Sequence, residues 1–332
     1  MATPVLRAIH EQLPKSIISI IVSSSAETVA KKYPYFHSIY THPLIGKPGW
    51  HRLLGHFRLL FLVRREAPDI LIHFVSSPAG RSIWLINKIC GVQKTIGFHR
   101  DNCRPINKIS FEVDETIHDI VQNLKILDAL GLKSSGSYME YPITKKAELG
   151  AEQFLKENGI KPNDIKVAIQ PVTKGMMGEN SRLWPLDRFA AVARVLSDRY
   201  GAKIIIMGNK SECGPAETMA SLVGPSALIQ SGKTSFEVAA ALLKLCDLFI
   251  CNDSGLMHLA DTLDIPMVAI WGPTDPIRRG YQDEKRIVIK KPMVCSPCLG
   301  ISERYPCKKR KCLFDISVED VASAASTLLD RI

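Results

Sequence analysis

The stretch that decides the fold of this chain runs from Leu248 to His258 and reads LFICNDSGLMH. Its first residues form an apolar run typical of a buried strand, and the polar residues that follow mark the start of a helix. Asp253 and Ser254 are favourable N-cap residues, and Gly255 would let a ligand approach the backbone. Because the first N–H groups of a helix have no partner inside it, the turn predicts a site for phosphate or diphosphate.

His258 lies about one helical turn beyond this start and could add a hydrogen-bond donor to the same site. The alternative for the whole stretch is an ordinary capped helix that carries a core histidine. The choice between the two depends on what the rest of the chain brings to the same sheet edge.

Composition limits the class of protein. The chain has 332 residues, of which 46% are hydrophobic, so two domains of ordinary size are expected. No apolar run reaches the length of a membrane span and no signal peptide is evident, which predicts a cytoplasmic location. Nine cysteines argue against a secreted disulfide scaffold. The net charge of +10 predicts an acidic partner, and the lack of a nucleic-acid motif favours a phosphorylated substrate or an anionic membrane surface over nucleic acid.

Apolar runs alternate with amphipathic stretches throughout, which indicates a doubly wound α/β protein with parallel sheets. In the first half, strands are expected at Ile17–Val22, Ile70–Phe74 and Thr95–Phe98, and helices at Pro4–Gln12, Leu53–Arg65, Arg81–Ile89 and Ile117–Leu130. In the second half, strands are expected at Val167–Gln170, Ile204–Met207, Leu228–Ile229, Leu248–Ile250 and Met267–Trp271.

The domain boundary is expected near the charged helix Lys145–Asn158, which divides the chain into an N-terminal domain of residues 1–150 and a C-terminal domain of residues 151–332. Two such domains meeting at a cleft would bind ligands outside the carboxyl ends of their strands. Every candidate motif follows directly after an expected strand, as this rule requires.

Three loops join the Asp253 turn as candidates. The loop after Val167–Gln170 contains Lys174 and Arg182, two cations suited to a diphosphate, although a solvated surface loop would look similar. Glu212 follows the strand that ends at Met207 and could accept hydrogen bonds from ribose hydroxyls, or could equally be a carboxylate at a helix start. Thr274 and Asp275 lie in the turn GPTDP at positions 272–276, which could contact nucleotide or sugar or be purely structural.

Two further motifs are weaker. Gly232-Lys233-Thr234 resembles the end of a phosphate-binding P-loop, but Ala227 occupies the position where that motif needs a glycine. The four cysteines near the C-terminus could hold a structural zinc, remain reduced in a loop, or form two local disulfides. They are Cys295, Cys298, Cys307 and Cys312.

Five segments, taken together and in order, resemble glycosyltransferase family 9, the ADP-heptose:lipopolysaccharide heptosyltransferases. The specific part is the Asp-Ser-Gly-x-x-His run of Asp253–His258 followed by Gly-Pro-Thr-Asp, and the resemblance covers nearly the whole chain. The other segments are TPVLRAI at 3–9, RLWP at 182–185 with Arg188-Phe189, and CSPC at 295–298.

The resemblance implies a GT-B fold, with two Rossmann-like domains around a cleft. It also implies inverting transfer of heptose from ADP-heptose to the phosphorylated lipopolysaccharide inner core, with no catalytic metal or other cofactor, by an enzyme in peripheral contact with the inner membrane. Arg182 stands where these enzymes often have a lysine. The residues expected to bind the nucleotide sugar are Thr173, Lys174, Arg182, Glu212, Asp253, Ser254, Gly255, His258, Thr274 and Asp275.

The N-terminus departs from the family pattern. Members begin with a strand and a glycine-containing loop whose aspartate acts as general base, whereas here the Thr-Pro-x-Leu-x-Ala helix starts at Thr3. The first strand and the base have no counterpart in this sequence, which suggests a late start or a paralogue impaired in catalysis. Because that strand lies near the middle of a doubly wound sheet, Ile17–Val22 is expected to have a vacant or rearranged side. The alternatives to a heptosyltransferase are a nucleotide-sugar-binding protein without turnover, and an epimerase or another GT-B transferase.

Overall fold

The computed structural model describes residues 1–41, 50–75, 89–99, 109–172, 182–298 and 310–332. The chain divides into two compact units, Met1–Pro142 and Ile143–Ile332. This division precedes the expected boundary because the helix Lys145–Glu157 packs against the helix Phe236–Lys244 of the second unit. The expected helix Arg81–Ile89 lies outside the described residues except for its last position.

Eleven strands lie in the described part of the chain, and all their pairings are parallel. They are β1 (Ser19–Val22), β2 (Ser38–Thr41), β3 (Ile70–Ile72), β4 (Lys94–His99), β5 (Ile109–Glu112), β6 (Lys166–Gln170), β7 (Lys203–Ile206), β8 (Ala227–Ile229), β9 (Leu248–Asn252), β10 (Met267–Ile270) and β11 (Arg286–Ile289).

Twelve α-helices lie among the same residues. They are α1 (Thr3–Gln12), α2 (Ser24–Ala30), α3 (Trp50–Glu66), α4 (Asp119–Leu130), α5 (Lys145–Glu157), α6 (Leu186–Tyr200), α7 (Cys213–Val223), α8 (Phe236–Lys244), α9 (Gly255–Thr262), α10 (Pro276–Arg279), α11 (Lys311–Phe314) and α12 (Val318–Leu329). A short 3-10 turn, Lys210–Glu212, precedes α7. In this part of the chain, no helix combines the length and the apolar composition that crossing a bilayer requires.

The second unit is a doubly wound domain. Its six strands lie in the order β11-β10-β9-β6-β7-β8, so the chain builds outward from β6 first in one direction and then in the other. Every residue of β6, β9 and β10 is buried, as expected for strands that are covered on both faces. The order reverses between β6 and β9, and this switch point is where ligands of such sheets bind.

The core of the second unit explains why these strands are apolar along their whole length. One face of the sheet packs against α6 and α12, and Trp184 meets Phe189 edge to face at a centroid distance of 4.9 Å. Hydroxyl side chains cap the helices: Ser235 accepts from the Val238 N–H and Ser317 from the Asp320 N–H. The helix starts are therefore positioned by local sequence as well as by packing.

The first unit contains two separate sheets, β1-β2 and β3-β4-β5. Among the residues that the structure describes, β1 pairs only with β2. The vacant or rearranged side expected for Ile17–Val22 stays a prediction. Residues of β1 alternate between exposed and half-buried. Residues from α1, β4 and α4, including Val5, Ile96 and Ile126, form one hydrophobic core. Ile18, which precedes β1, packs against this core.

Three strands were not expected from the sequence. These are β2, β5 and β11, whose residues are mostly half-buried and which mix polar with apolar side chains. Such strands lack a continuous apolar run, so the sequence pattern does not indicate them. They form because they pair with a neighbouring strand. The expected strand Ile70–Phe74 is also shorter than predicted and ends at Ile72.

Candidate functional site

The turn between β9 and α9 has the expected form. Ser254 is the N-cap of α9 and its Oγ accepts from the Met257 N–H at 3.3 Å. The same hydroxyl donates to Gln170 Oε1 at 2.6 Å, which ties the helix start to the end of β6. Gly255 is exposed, and a Cβ built on it would meet no atom within 4 Å. Open space therefore lies beside the first turn of α9, where a helix favours an anion.

Asn252, the last residue of β9, holds the loop that follows β6 at the switch point. Its side chain is buried, accepts from the Trp184 N–H at 2.9 Å and donates to the Pro171 carbonyl at 3.0 Å. Both ends of the loop that follows β6 are thus bonded to one side chain at the end of β9. Sequence analysis did not single out Asn252 or Gln170 as site residues. The available signal was their place as the last residues of two central strands.

Arg182, Asp253 and Thr274 form one hydrogen-bonded group although they lie far apart in the sequence. Asp253 Oδ2 accepts from Arg182 Nη1 at 3.0 Å and from Thr274 Oγ1 at 2.9 Å. Asp253 is 5% exposed, whereas the Arg182 side chain is 20% exposed. The carboxylate therefore neutralises and orients a guanidinium that keeps further N–H groups and access to solvent.

This geometry differs from the expected direct contact between Asp253 and phosphate. A carboxylate repels a phosphate, and the oxygen Oδ2 is already engaged by two donors. The arrangement instead gives Asp253 the task of holding Arg182 and Thr274 at the carboxyl edge of the sheet. Arg182 and the start of α9 are the groups with a charge suited to an anion.

His258 lies on the first turn of α9 and is half-buried. Its Nδ1 is hydrogen-bonded to the Tyr281 hydroxyl at 2.8 Å, and the two rings meet edge to face at 5.6 Å. The contact fixes the plane of the imidazole relative to the helix start. Tyr281, like Asn252 and Gln170, was not expected from the sequence, because it follows α10 without a recognisable motif.

Glu212 caps a helix start. It is buried, and its Oε2 accepts from the Asn209 N–H at 2.8 Å in a reciprocal capping box. Of the two roles left open by the sequence, the structure contains the helix-start carboxylate. Gly208 precedes this turn, and a Cβ there would lie 2.7 Å from Ser231 Oγ and 2.8 Å from Glu212 Oε2. Only glycine fits this close approach at the end of β7.

The two candidate residues of the turn Gly272–Pro276 have different hydrogen-bond partners. Thr274 donates to Asp253 and joins the group formed with Arg182, whereas Asp275 is the N-cap of α10 and accepts from the Ile277 N–H at 3.1 Å. The segment 295–298 supports this turn from outside, because Ser296 Oγ donates to the Gly272 carbonyl at 2.6 Å and the Cys298 N–H donates to the Pro273 carbonyl at 2.8 Å.

The cysteine motif is only partly described. Cys295 is exposed, Cys298 is half-buried and Cys312 is buried. Cys307 lies outside the described residues. Within the described ranges, no group of three or more histidine, cysteine, aspartate or glutamate side chains is placed to hold a metal ion. Thr173 and Lys174 also lie outside the described residues.

Comparisons with known proteins agree with the fold. The chain is 26% identical over 216 residues to lipooligosaccharide heptosyltransferase 2 of Campylobacter jejuni, and the match spans 64% of each chain, just under two thirds of that relative's length. The crystal structure of a glycosyl transferase family 9 protein from Veillonella parvula is similar with a TM-score of 0.77 and 24% identity, over 100% of this chain and 93% of that one.

A third comparison concerns a structure solved with a nucleotide. The E. coli heptosyltransferase WaaC with ADP has a TM-score of 0.67 and 16% identity, over 99% of this chain and 93% of that one. At this identity the likeness supports the fold, which is the α/β GT-B fold expected from the sequence. The family model for glycosyltransferase family 9 (heptosyltransferase) matches residues 82–309, more than half of the chain. The chain therefore belongs to glycosyltransferase family 9.

Proposed function

We propose that the second unit binds the ADP part of a nucleotide sugar at the β6–β9 switch point, and that the protein transfers heptose from ADP-heptose. The observation that carries the proposal is the buried Asp253 that holds Arg182 beside the open start of α9. A guanidinium and a helix N-terminus at the same place form a site for a diphosphate. The ADP in the WaaC structure supports the choice of nucleotide.

The chemistry of such a site follows from where charge develops. When the bond between the sugar C1 and the diphosphate oxygen breaks, negative charge builds on the diphosphate. Arg182 and the first N–H groups of α9 are oriented before the reaction, so they stabilise this charge without reorganising. Thr274 restrains Asp253 and thereby Arg182, and His258 supplies a further polar group at the same helix turn.

The acceptor in this proposal is the phosphorylated inner core of lipopolysaccharide at the cytoplasmic face of the inner membrane. The net charge of +10 favours a polyanionic acceptor. In an inverting, metal-independent transfer, an acceptor hydroxyl attacks C1 opposite the leaving diphosphate, and a base takes the hydroxyl proton. We assign no residue to that proton transfer.

Calorimetric titration of ADP tests the donor site. We expect Arg182→Ala to weaken ADP binding by about 10- to 100-fold, since a charge-assisted hydrogen bond contributes about 1.5–3 kcal/mol. Asp253→Ala should weaken it too, because Arg182 loses its support. The matched control is Arg199→Ala, which removes an arginine from an exposed pair with Asp330 at 3.1 Å. Equal ADP affinity in all four proteins would refute the site.

A nucleotide-sugar-binding protein without turnover is the second candidate. It is favoured by the assembled donor-side residues Arg182, Asp253 and Ser254, which nucleotide binding alone would require. Release of ADP from ADP-heptose in the presence of a lipopolysaccharide-core acceptor separates the two. Turnover supports the transferase, and ADP-heptose binding without acceptor-dependent release supports the binding protein.

A further inference from the structure

The outward surface of α3 carries two large apolar side chains. α3 packs inward through Leu59, Leu60 and Val63, which contact a small core around Val92. At 3.6 residues per turn, the opposite face carries Phe57 and Phe61. A helix normally places polar side chains on the face that points away from its core.

Both phenylalanines are open to solvent. Phe57 is 61% exposed and Phe61 is 66% exposed, and their spacing of four residues places the rings next to each other. Single exposed apolar residues need no explanation, but adjacent large aromatic side chains on one helix face indicate a surface that meets an apolar partner.

Three exposed arginines surround the rings on the same side of the helix: Arg58, Arg64 and Arg65. Arg65 Nη2 donates to the Tyr40 hydroxyl at 2.7 Å and lies 3.5 Å from Glu66, and Arg64 Nη1 donates to the Ile89 carbonyl at 3.4 Å. Glu66 is the only acidic residue of α3, and its two oxygens accept from Ser19 and Tyr40. We call Phe57, Arg58, Phe61, Arg64 and Arg65 the Phe57/Phe61 face.

We infer that the Phe57/Phe61 face docks on the surface of an anionic lipid bilayer. Phenylalanine rings insert between headgroups and acyl chains, while guanidinium groups bind lipid phosphates. A second copy of this chain fits the face poorly, because a two-fold contact would place arginines against arginines. The inference rests on the proposed function for the presence of a membrane, since an acceptor anchored in a bilayer must be met at its surface.

Sedimentation of the full-length protein with vesicles tests this inference. We expect binding to vesicles of phosphatidylcholine mixed with phosphatidylglycerol and little binding to phosphatidylcholine alone. Phe57→Ser with Phe61→Ser should weaken binding by about tenfold or more, because two apolar side chains no longer insert. Arg58→Gln should weaken it about fivefold, with the loss fading at high salt.

The matched controls change similar residues elsewhere. Val121→Ser with Leu149→Ser removes two half-exposed apolar side chains from α4 and α5, and Arg199→Gln removes a surface arginine; both should bind vesicles as the wild type does. No binding of the wild type to anionic vesicles, or equal binding of the phenylalanine variant, would overturn the inference. Sedimentation velocity gives a further test. A dimeric wild type together with a monomeric phenylalanine variant would also overturn the inference, because the face would then be a contact between copies of the chain.

ADP titration of the phenylalanine variant completes the design. Unchanged ADP binding shows that the second unit of the variant is intact, and an unchanged urea unfolding curve shows that the first unit, which contains α3, is folded. A loss on vesicles is then local to the face. Vesicle binding as expected with no ADP binding to the wild type would instead refute the proposed function and leave the docking surface in place.

Discussion

The two units differ most at the strands from which each sheet is built. In the second unit, β6 lies between β7 and β9 and all five of its residues are buried. In the first unit, β1 and β3 begin two separate sheets, and within the described residues each pairs on one side only. Both sets of strands are parallel, so the difference is one of continuity rather than of strand type.

This difference explains why the candidate site lies in the second unit. Gln170 ends β6 and Asn252 ends β9, and hydrogen bonds between the two strands hold these ends side by side. Ser254, Trp184 and Pro171 are then bonded to them. Within the described part of the first unit, no hydrogen bonds join β1 to β3 and the two strands lie in separate sheets. A switch-point site requires the continuous sheet.

The largest effect is expected from matched truncations in the two sheets. Ile169→Ala in β6 removes a side chain with 0% exposure, and Ile21→Ala in β1 removes one with 37% exposure. We expect the first to lower the free energy of unfolding by about 3–4 kcal/mol and the second by less than about 1 kcal/mol, because only the first leaves a buried cavity. Urea unfolding followed by circular dichroism measures both. Equal losses would contradict the contrast between the sheets.

A smaller effect is expected from two buried asparagines, one in each unit. Asn252→Leu leaves the Trp184 N–H and the Pro171 carbonyl unpaired, and Asn123→Leu leaves the Val75 N–H unpaired. Each should cost about 1–3 kcal/mol of stability, measured by urea unfolding.

Only Asn252→Leu should also weaken ADP binding, because it releases the loop that carries Arg182 toward the switch point. Calorimetric titration at a temperature where both variants are folded makes the comparison. Loss of ADP binding in the Asn123 variant as well would show that the effect comes from general loosening and not from the site.

The smallest effect concerns Asp261 in α9, whose pKa is raised to about 6 by burial, although Arg286 partly opposes the rise. The folded protein then binds more protons than the unfolded chain between about pH 4 and about pH 6, so this residue's contribution to stability falls as pH rises through that window. Asp261→Asn should therefore gain about 1 kcal/mol relative to the wild type between acid and neutral pH, after allowance for partial exposure.

Glu66 in α3 provides the control of opposite sign. Hydrogen bonds from Tyr40 and Ser19 lower the pKa of this carboxyl group, so its contribution is present at neutral pH and lost as pH falls below its unfolded pKa. Thermal unfolding across the acid range should show Asp261→Asn and Glu66→Gln diverging from the wild type in opposite directions. A constant difference for Asp261→Asn at every pH would contradict the burial of its charge.

Much of the second unit was predictable from the sequence. The sequences of β6, β9 and β10 are mostly apolar, and Asp253, Ser254 and Gly255 predicted the helix start. These features are local, since hydrophobic burial and capping depend on neighbours in sequence. The family resemblance added the order of the remaining motifs, and the family match confirmed the family.

The partners of each site residue were not predictable. Asp253 was expected against phosphate and instead holds Arg182, which lies 71 positions earlier in the sequence. Asp275 and Glu212 were expected near the nucleotide. In the structure, Asp275 caps α10 and Glu212 caps the turn Lys210–Glu212. Asn252 and Tyr281 were missed because a side-chain hydrogen bond to a residue distant in the sequence leaves no periodic trace.

The amino-acid order alone thus specified where strands and helices begin and which turns could face an anion, because those properties depend on side chains a few positions apart. Which carboxylate pairs with which cation, and which strands share a sheet, depended on groups brought together from distant parts of the chain. The free energy of those contacts exists only when β6 and β9 lie side by side, and so the folded structure alone could decide them.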